Sequence, residues 1–329
     1  MTQRTRRGWL LGLTLAIALV ATARGGDDDA GGGTGTGTGT GGGASLSGSI
    51  AIDGSSTVAP VTEAIAEEFR KEQSGVQVTV GTSGTGGGFT KFCAGETDIS
   101  DASRPIEDEE KAACEAKGIK YQEFRIGLDG LAVVSSVQNQ FVDSLNFEQL
   151  AKIFEDGGAT TWNQVDPKFP NEKIAIFGPD TESGTYDFFN EEVLGDPEEG
   201  GKKPRSDYTA SSDDNTLVQG IEGEANSWGY FGYAYYQNNK EGLKVIKVAE
   251  EGTTGVEPTA ETIESGDYPL SRPLYIYVKE DSLRKPEVGQ FVKFYLEQTP
   301  QIIADVGYVA APQEDYTQGL SKLQPFLTN

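Results

Sequence analysis

Three short stretches place hydroxyls and glycines where a strand pattern gives way to a helix pattern. The fullest is Gly178-Pro179-Asp180-Thr181-Glu182-Ser183-Gly184-Thr185. It follows the apolar run Ile174-Ala175-Ile176-Phe177 and leads into Tyr186, Phe189 and Val193, the stripe of an amphipathic helix. Asp53-Gly54-Ser55-Ser56-Thr57-Val58 has the same form, between a strand-like segment at 48–52 and a helix pattern carrying Val61, Ile65 and Phe69. Gly81-Thr82-Ser83-Gly84-Thr85-Gly86-Gly87 is the third, after 76–80 and before Phe89 and Phe92. A helix start carries unpaired N–H groups and the positive end of the macrodipole. Glycine there lets a ligand approach the backbone, and hydroxyls add donors, so the junction suits an oxyanion. One such junction reads as an ordinary capped helix start. Three in one chain point to a shared anion site, with Ser56, Thr57, Ser83, Ser183, Gly184 and Thr185 as its donors.

Other chemistries fail on residue type. The chain has no histidine, which removes serine–histidine triads and histidine metal sites. No metal spacing exists, and neither a metal nor a cofactor is expected. Gly84-Thr85-Gly86-Gly87-Gly88-Phe89 lacks the last glycine of G-x-G-x-x-G. Ser282-Leu283-Arg284-Lys285 matches S-x-x-K without its partner motifs, so a helix cap is the better reading. Paired acids such as Asp213-Asp214 and Glu198-Glu199 read as solvated surface. With 27 basic and 51 acidic residues the net charge is 27 − 51 = −24, which excludes the basic face of a nucleic-acid binder. An anion can still be held by dipoles and hydroxyls in a closed cleft, where short-range bonds outweigh a screened global field.

The elements that must position these residues alternate strand and helix from Ser47 onward, which argues an α/β fold. Residues 126–134 form a long apolar run, a candidate hinge-crossing strand. Residues 145–154 and 217–221 read as helices, 229–236 as an aromatic strand, 274–278 as a strand, and 288–297 and 316–323 as helices, the last stopped by Pro325. Before them, Arg4, Arg6 and Arg7 precede an apolar run of 15 residues, Trp9 to Ala23, ending in Ala21-Thr22-Ala23. That is the layout of a cleavable export signal over 1–23, by the general or the twin-arginine route. Residues 24–46, rich in Gly, Thr and Asp, read as a flexible linker. Cys93 and Cys114 are the only cysteines; in an exported chain an even pair suggests a disulfide, two buried thiols being the alternative.

The chain resembles the PstS family, the phosphate-binding proteins of bacterial phosphate ABC transporters, and most closely its cyanobacterial, SphX-like branch. The resemblance rests on the three junctions above, on Asp98-Ile99-Ser100-Asp101-Ala102-Ser103-Arg104-Pro105, on Trp228-Gly229-Tyr230-Phe231-Gly232-Tyr233, and on Tyr268-Pro269-Leu270-Ser271-Arg272-Pro273-Leu274. It implies the type II periplasmic-binding-protein fold, with domain I from 47–128 and 272–329, domain II from 129–271, and a ligand cleft between. It implies a non-enzymatic, extracytoplasmic receptor, expected to be a monomer, that captures inorganic phosphate and delivers it to membrane permease subunits. Sulfate or molybdate is the alternative ligand. An exported phosphatase-like enzyme using Ser183 or Ser83 is the alternative class, although no base or metal cluster accompanies either serine. By family correspondence Val58 adds a backbone N–H to the first loop. In much of the family an aspartate accepts the phosphate proton; an ungapped match puts Ser103 at that position, leaving Asp101 as the candidate, with Asp180 or Asp214 as fallbacks. The commoner pattern has an arginine four residues before Ser-Gly-Thr, where this chain has Pro179, so Arg104 is the expected countercharge, with Arg205 in reserve. Family members are often lipid-anchored; Arg24 stands where the modified cysteine would fit, so no anchor is expected.

Overall fold

The computed structural model describes residues 45–181, 183–195, 200–250 and 252–327. The expected export signal, the linker up to residue 44 with Arg24, and Glu198-Glu199 lie outside them. The first elements are β1 (Ser47–Gly54), α1 (Ala59–Glu72), β2 (Gly75–Gly81), α2 (Gly84–Ala94), β3 (Ile99–Ala102), α3 (Asp108–Ala116) and β4 (Tyr121–Ser136). Next come β5 (Ser144–Asn146), α4 (Phe147–Phe154), α5 (Trp162–Val165), β6 (Ala175–Gly178), α6 (Gly184–Leu194), β7 (Thr209–Ala210), α7 (Asp214–Gly223), β8 (Ser227–Gly232) and α8 (Tyr233–Asn238). The chain ends with β9 (Leu243–Val245), β10 (Lys247–Ala249), α9 (Ala260–Ser265), β11 (Ser271–Lys279), α10 (Glu280–Leu283), α11 (Pro286–Ile302), β12 (Val309–Ala310) and α12 (Gln313–Leu323).

The strands order as β2-β1-β3-β11-β4-β8-β6-β7, with β9 and β12 also on β4 and a separate β10-β5 pair. Strands β2, β1 and β3 run parallel, as do β7, β6 and β8, whereas β4 and β11 run against their neighbours. The 16-residue β4 and its partner β11 together join the two parallel groups, and β4 is buried without a break from Ile126 on. Its near-continuous apolar run is what a strand covered on both faces requires. One large apolar cluster gathers residues between Leu128 and Leu270, and a second gathers residues from 50–126 and 274–323.

Two elements depart from the sequence expectation. Leu145 and Asn146 belong to β5, and the helix begins at Phe147. Asn146 caps it: its side chain accepts from Gln149 N at 2.9 Å while Gln149 Oε1 accepts from Asn146 N at 3.0 Å, a reciprocal capping box. The aromatic run at 229–236 divides at Gly232, after which α8 buries Tyr233 and Tyr236 at a helical spacing. Short aromatic runs carry no period that separates strand from helix. The S-x-x-K match is structural: Ser282 Oγ and Lys285 Nζ both donate to Asp98 Oδ1, at 2.6 and 2.9 Å.

Cys93 of α2 and Cys114 of α3 form a disulfide, buried against Phe89, Phe92 and Tyr277. It closes a loop with a sequence separation of 21 and ties the helix that starts at Gly84 to the segment after Arg104. Chain-entropy bookkeeping gives such a loop about 3 kcal/mol. The Cys93→Ala, Cys114→Ala double variant is therefore expected to lose about that much stability, read from urea midpoints; an unchanged midpoint would refute the constraint.

Candidate functional site

The junctions at α1 and α6 meet head to head. Ser55 Oγ accepts from Thr57 N at 3.2 Å, and Ser183 Oγ accepts from Thr185 N at 3.2 Å, so each helix start is organised by its own serine. Thr57 Oγ1 donates to Gly184 O at 3.5 Å, and Ser56 Oγ to Asp187 Oδ2 at 3.2 Å. Thr85 of the α2 junction lines a hollow shared with Ser56 and Thr57; its hydroxyl lies 3.0 Å from Ser103 Oγ and accepts from Ser103 N at 3.2 Å. Two hollows flank the Thr57–Gly184 contact. One, of 360 Å³, is walled by Ser56, Thr57, Thr85, Ser103, Arg104 and Arg272. The other, of 280 Å³, is walled by Ser56 again with Ser183, Gly184, Thr185 and Asp214.

Some expected residues stand behind this surface. Val58 is fully buried as the residue before α1. Ser83 is drawn off by Asp53, whose carboxylate accepts from both Ser83 N and Ser83 Oγ and pairs with Lys91 Nζ at 2.6 Å. Burial alone would raise the Asp53 pKa; Lys91 and Ser83 outweigh it and hold the group below its ordinary value. Neither hollow is lined by Ser83; Thr85, two residues on, takes that place. Asp101 is also off the surface. Its side chain is fully buried, accepts from Thr62 Oγ1 at 2.8 Å, and leaves Oδ1 without a partner, while its backbone oxygen accepts from Ser55 N at 2.9 Å. Burial pushes its carboxyl up to about 7.

Arg104 lines the larger hollow, but both ends of its fork rest on Glu110 at 2.9 Å and its Nε on Glu107 at 3.1 Å. Arg205 is buried elsewhere, donating to Ile153 O at 2.7 Å and paired with Asp207 at 2.7 Å. The guanidinium that reaches the junctions is Arg272 of β11, with Nη2 2.7 Å from Thr57 Oγ1 and 3.4 Å from Gly184 O. The Ser271-Arg272-Pro273 segment was legible as sequence; its neighbours were not. Asp214 is the first residue of α7, after the cap Asp213, and burial followed by the charge of Asp213 raises its carboxyl to about 6. A carboxyl poised there can accept or hold a ligand proton near neutral pH.

A PBP superfamily domain model matches residues 35–299. A phosphate-binding protein PstS of Staphylococcus saprophyticus is 46% identical over 281 residues, 85% of this chain and 86% of the relative. Protein SphX of Synechococcus elongatus is 44% identical over 279 residues, 84% and 81% of the two chains. The chain belongs to the PstS family. Among solved structures, that of a possible phosphate binding protein from Planctomyces limnophilus superposes with a TM-score of 0.82 at 45% identity, covering 86% of this chain and 100% of that one. The fold is accordingly the type II periplasmic-binding-protein fold, in which β4 and β11 are the strands that run the length between two parallel groups. The relatives that carry a functional name are binding proteins.

Proposed function

We propose that this PstS-family chain is an extracytoplasmic solute receptor that captures inorganic phosphate and hands it to the membrane permease of an ABC-type transporter. The observation that carries the reading is the meeting of Thr57 with Gly184, which brings the N-terminal ends of α1 and α6 together beside the hydroxyls of Thr85 and Ser103. Helix starts and hydroxyls offer many short donors in a small volume, which suits a tetrahedral oxyanion. Among oxyanions, the names of the Staphylococcus and Planctomyces relatives favour phosphate. Ser56, Thr57, the Val58 N–H, Thr85, Ser103, Ser183, Gly184 and Thr185 are its proposed donors, with Asp214 as the carboxyl that meets the phosphate proton.

The two apolar clusters divide near the ends of residues 47–128 with 272–329 and of 129–271. This supports reading the chain as two domains that close on the anion across β4 and β11. The receptor is proposed to act as a monomer and without catalysis; the binding-protein names of the relatives support the latter. Isothermal titration of the protein with phosphate, sulfate and molybdate tests the reading. Phosphate is expected to bind in preference to both. The Ser183→Ala, Thr185→Ala pair is expected to weaken it at least tenfold, since hydrogen bonds to charged groups contribute about 1.5–3 kcal/mol each. Preferential sulfate or molybdate binding overturns the choice of anion, and steady hydrolysis of a phosphate monoester overturns the receptor.

A further inference from the structure

The structure assigns the anion's countercharge to Arg272, held in place by Asp129; this rests on the phosphate reading and goes beyond it. Two arginines line the 360 Å³ hollow. Arg104 is already matched by a bidentate carboxylate, Glu110, and by Glu107, so little of its fork is left for a ligand. Arg272 is arranged differently. Only 12% of its side chain is exposed, and its guanidinium lies 3.9 Å over the Phe188 ring, which fixes its plane. Its Nη2 touches Thr57 and Gly184, one from each of two junctions in opposite halves of the sheet. Among the described residues the only carboxylate contact on Nη1 is a long one, 3.5 Å to the exposed Glu191.

Beneath it sits Asp129. The two residues are register partners across the antiparallel β4–β11 pair, and Asp129 Oδ2 lies 3.4 Å from Arg272 Nε. Asp129 is fully buried, and neither of its carboxylate oxygens has a hydrogen-bond partner. Among the described residues only the arginine compensates it, so the carboxylate anchors the Nε side and leaves the Nη side to face the hollow. Pro273 follows and biases Arg272 to the extended conformation that this register needs. Asp129 is thus a positioning residue and Arg272 the ligand. A cation that reaches both helix starts from the strand between them draws α1 and α6 onto one anion. Arginine suits the task because its planar fork can bind a carboxylate along one edge and phosphate along another.

The test is phosphate titration of the parent, Arg272→Ala, Arg272→Lys, Asp129→Asn and Arg104→Ala, with thermal unfolding of each. Arg272→Ala is expected to lose at least tenfold in affinity, more than Arg104→Ala, and Arg272→Lys to recover part of it. Asp129→Asn is expected to weaken binding when Arg272 is present and to add nothing in the Arg272→Ala background. A spectroscopic arm needs no folded variant at the site beyond an assignment: the Arg272 side-chain ¹⁵Nε resonance of the parent is expected to shift on adding phosphate. A parent that binds phosphate, with Arg272→Ala within twofold of it or with an unmoved resonance, overturns this inference alone. A parent that binds none of phosphate, sulfate and molybdate overturns the anion reading and this inference together.

Discussion

Replacing Gly184 with alanine is expected to cut phosphate affinity at least a hundredfold, about 2.7 kcal/mol, while leaving the fold as stable as the parent. A Cβ at this position would meet Thr57 Oγ1 at 2.7 Å, Thr57 Cα at 2.8 Å and Thr57 N at 3.0 Å. Those are mainly backbone atoms of the opposite junction, fixed by the Ser55 cap and by Ser55 N on Asp101 O, so they cannot turn aside as a side-chain tip could. The starts of α1 and α6 must separate instead. Arg272 Nη2, which spans Thr57 Oγ1 and Gly184 O, then loses one of its two partners. The local helix has no objection to the change: Gly184 opens α6, and alanine is a better helix former than glycine. Affinity and stability should therefore part company. Titration together with urea midpoints checks this, and an alanine variant binding within threefold of the parent would show that the contact does not frame the site.

What the sequence made legible was local. A junction of apolar run, small polar residues and amphipathic helix spans about a dozen residues, and all three expected junctions lie at strand–helix transitions of the fold. Within a junction, the hydroxyl that faces the ligand side depends on side-chain capture from elsewhere. Asp53 at the end of β1 takes both polar groups of Ser83, and Thr85 faces Ser103 in its stead. No spacing rule within the motif could show that. Asp101 and Ser103 illustrate the same limit. They are two residues apart, yet β3 ends at Ala102, so Asp101 still points into the packed face towards Thr62 while Ser103 has turned to the hollow. Arg272 was not legible as a site residue. Its partner Asp129 is chosen by the register of two strands far apart in the chain, and register is set by the whole sheet. Arg104 is carried by a recognisable local motif, whereas the placement of Arg272 depends on long-range strand pairing.

Asp101 leads to the other large effect, one on stability. Its carboxyl is fully buried with one oxygen unpartnered, and burial pushes its pKa from 3.8 to about 7, helped by the nearby charges of Asp53 and Glu63 and opposed by the Thr62 hydroxyl. Between pH ~4 and ~7 the unfolded chain has released this proton and the folded chain keeps it. The folded state binds more protons there, so this group's contribution to stability falls as pH rises through that window and stays low above it. Three pKa units correspond to about 4 kcal/mol at full effect. Asp101→Asn keeps an acceptor for Thr62 Oγ1 and removes the ionisable group. The variant is expected to gain little at pH 4, where the parent is protonated as well, and to gain up to about 4 kcal/mol at pH 8. Since Asp101 lines neither hollow, the preference for phosphate over sulfate should be unchanged. Carboxylates remote from Asp101 drop out of the comparison, so the difference between the urea midpoints at the two pH values reads Asp101 with its coupling to Asp53 and Glu63. An equal difference at pH 4 and pH 8 would mean that folding leaves the Asp101 carboxyl at its ordinary pKa. A gain of sulfate binding would put its carboxyl in the ligand's reach, against the hydrogen bond to Thr62 that turns it away.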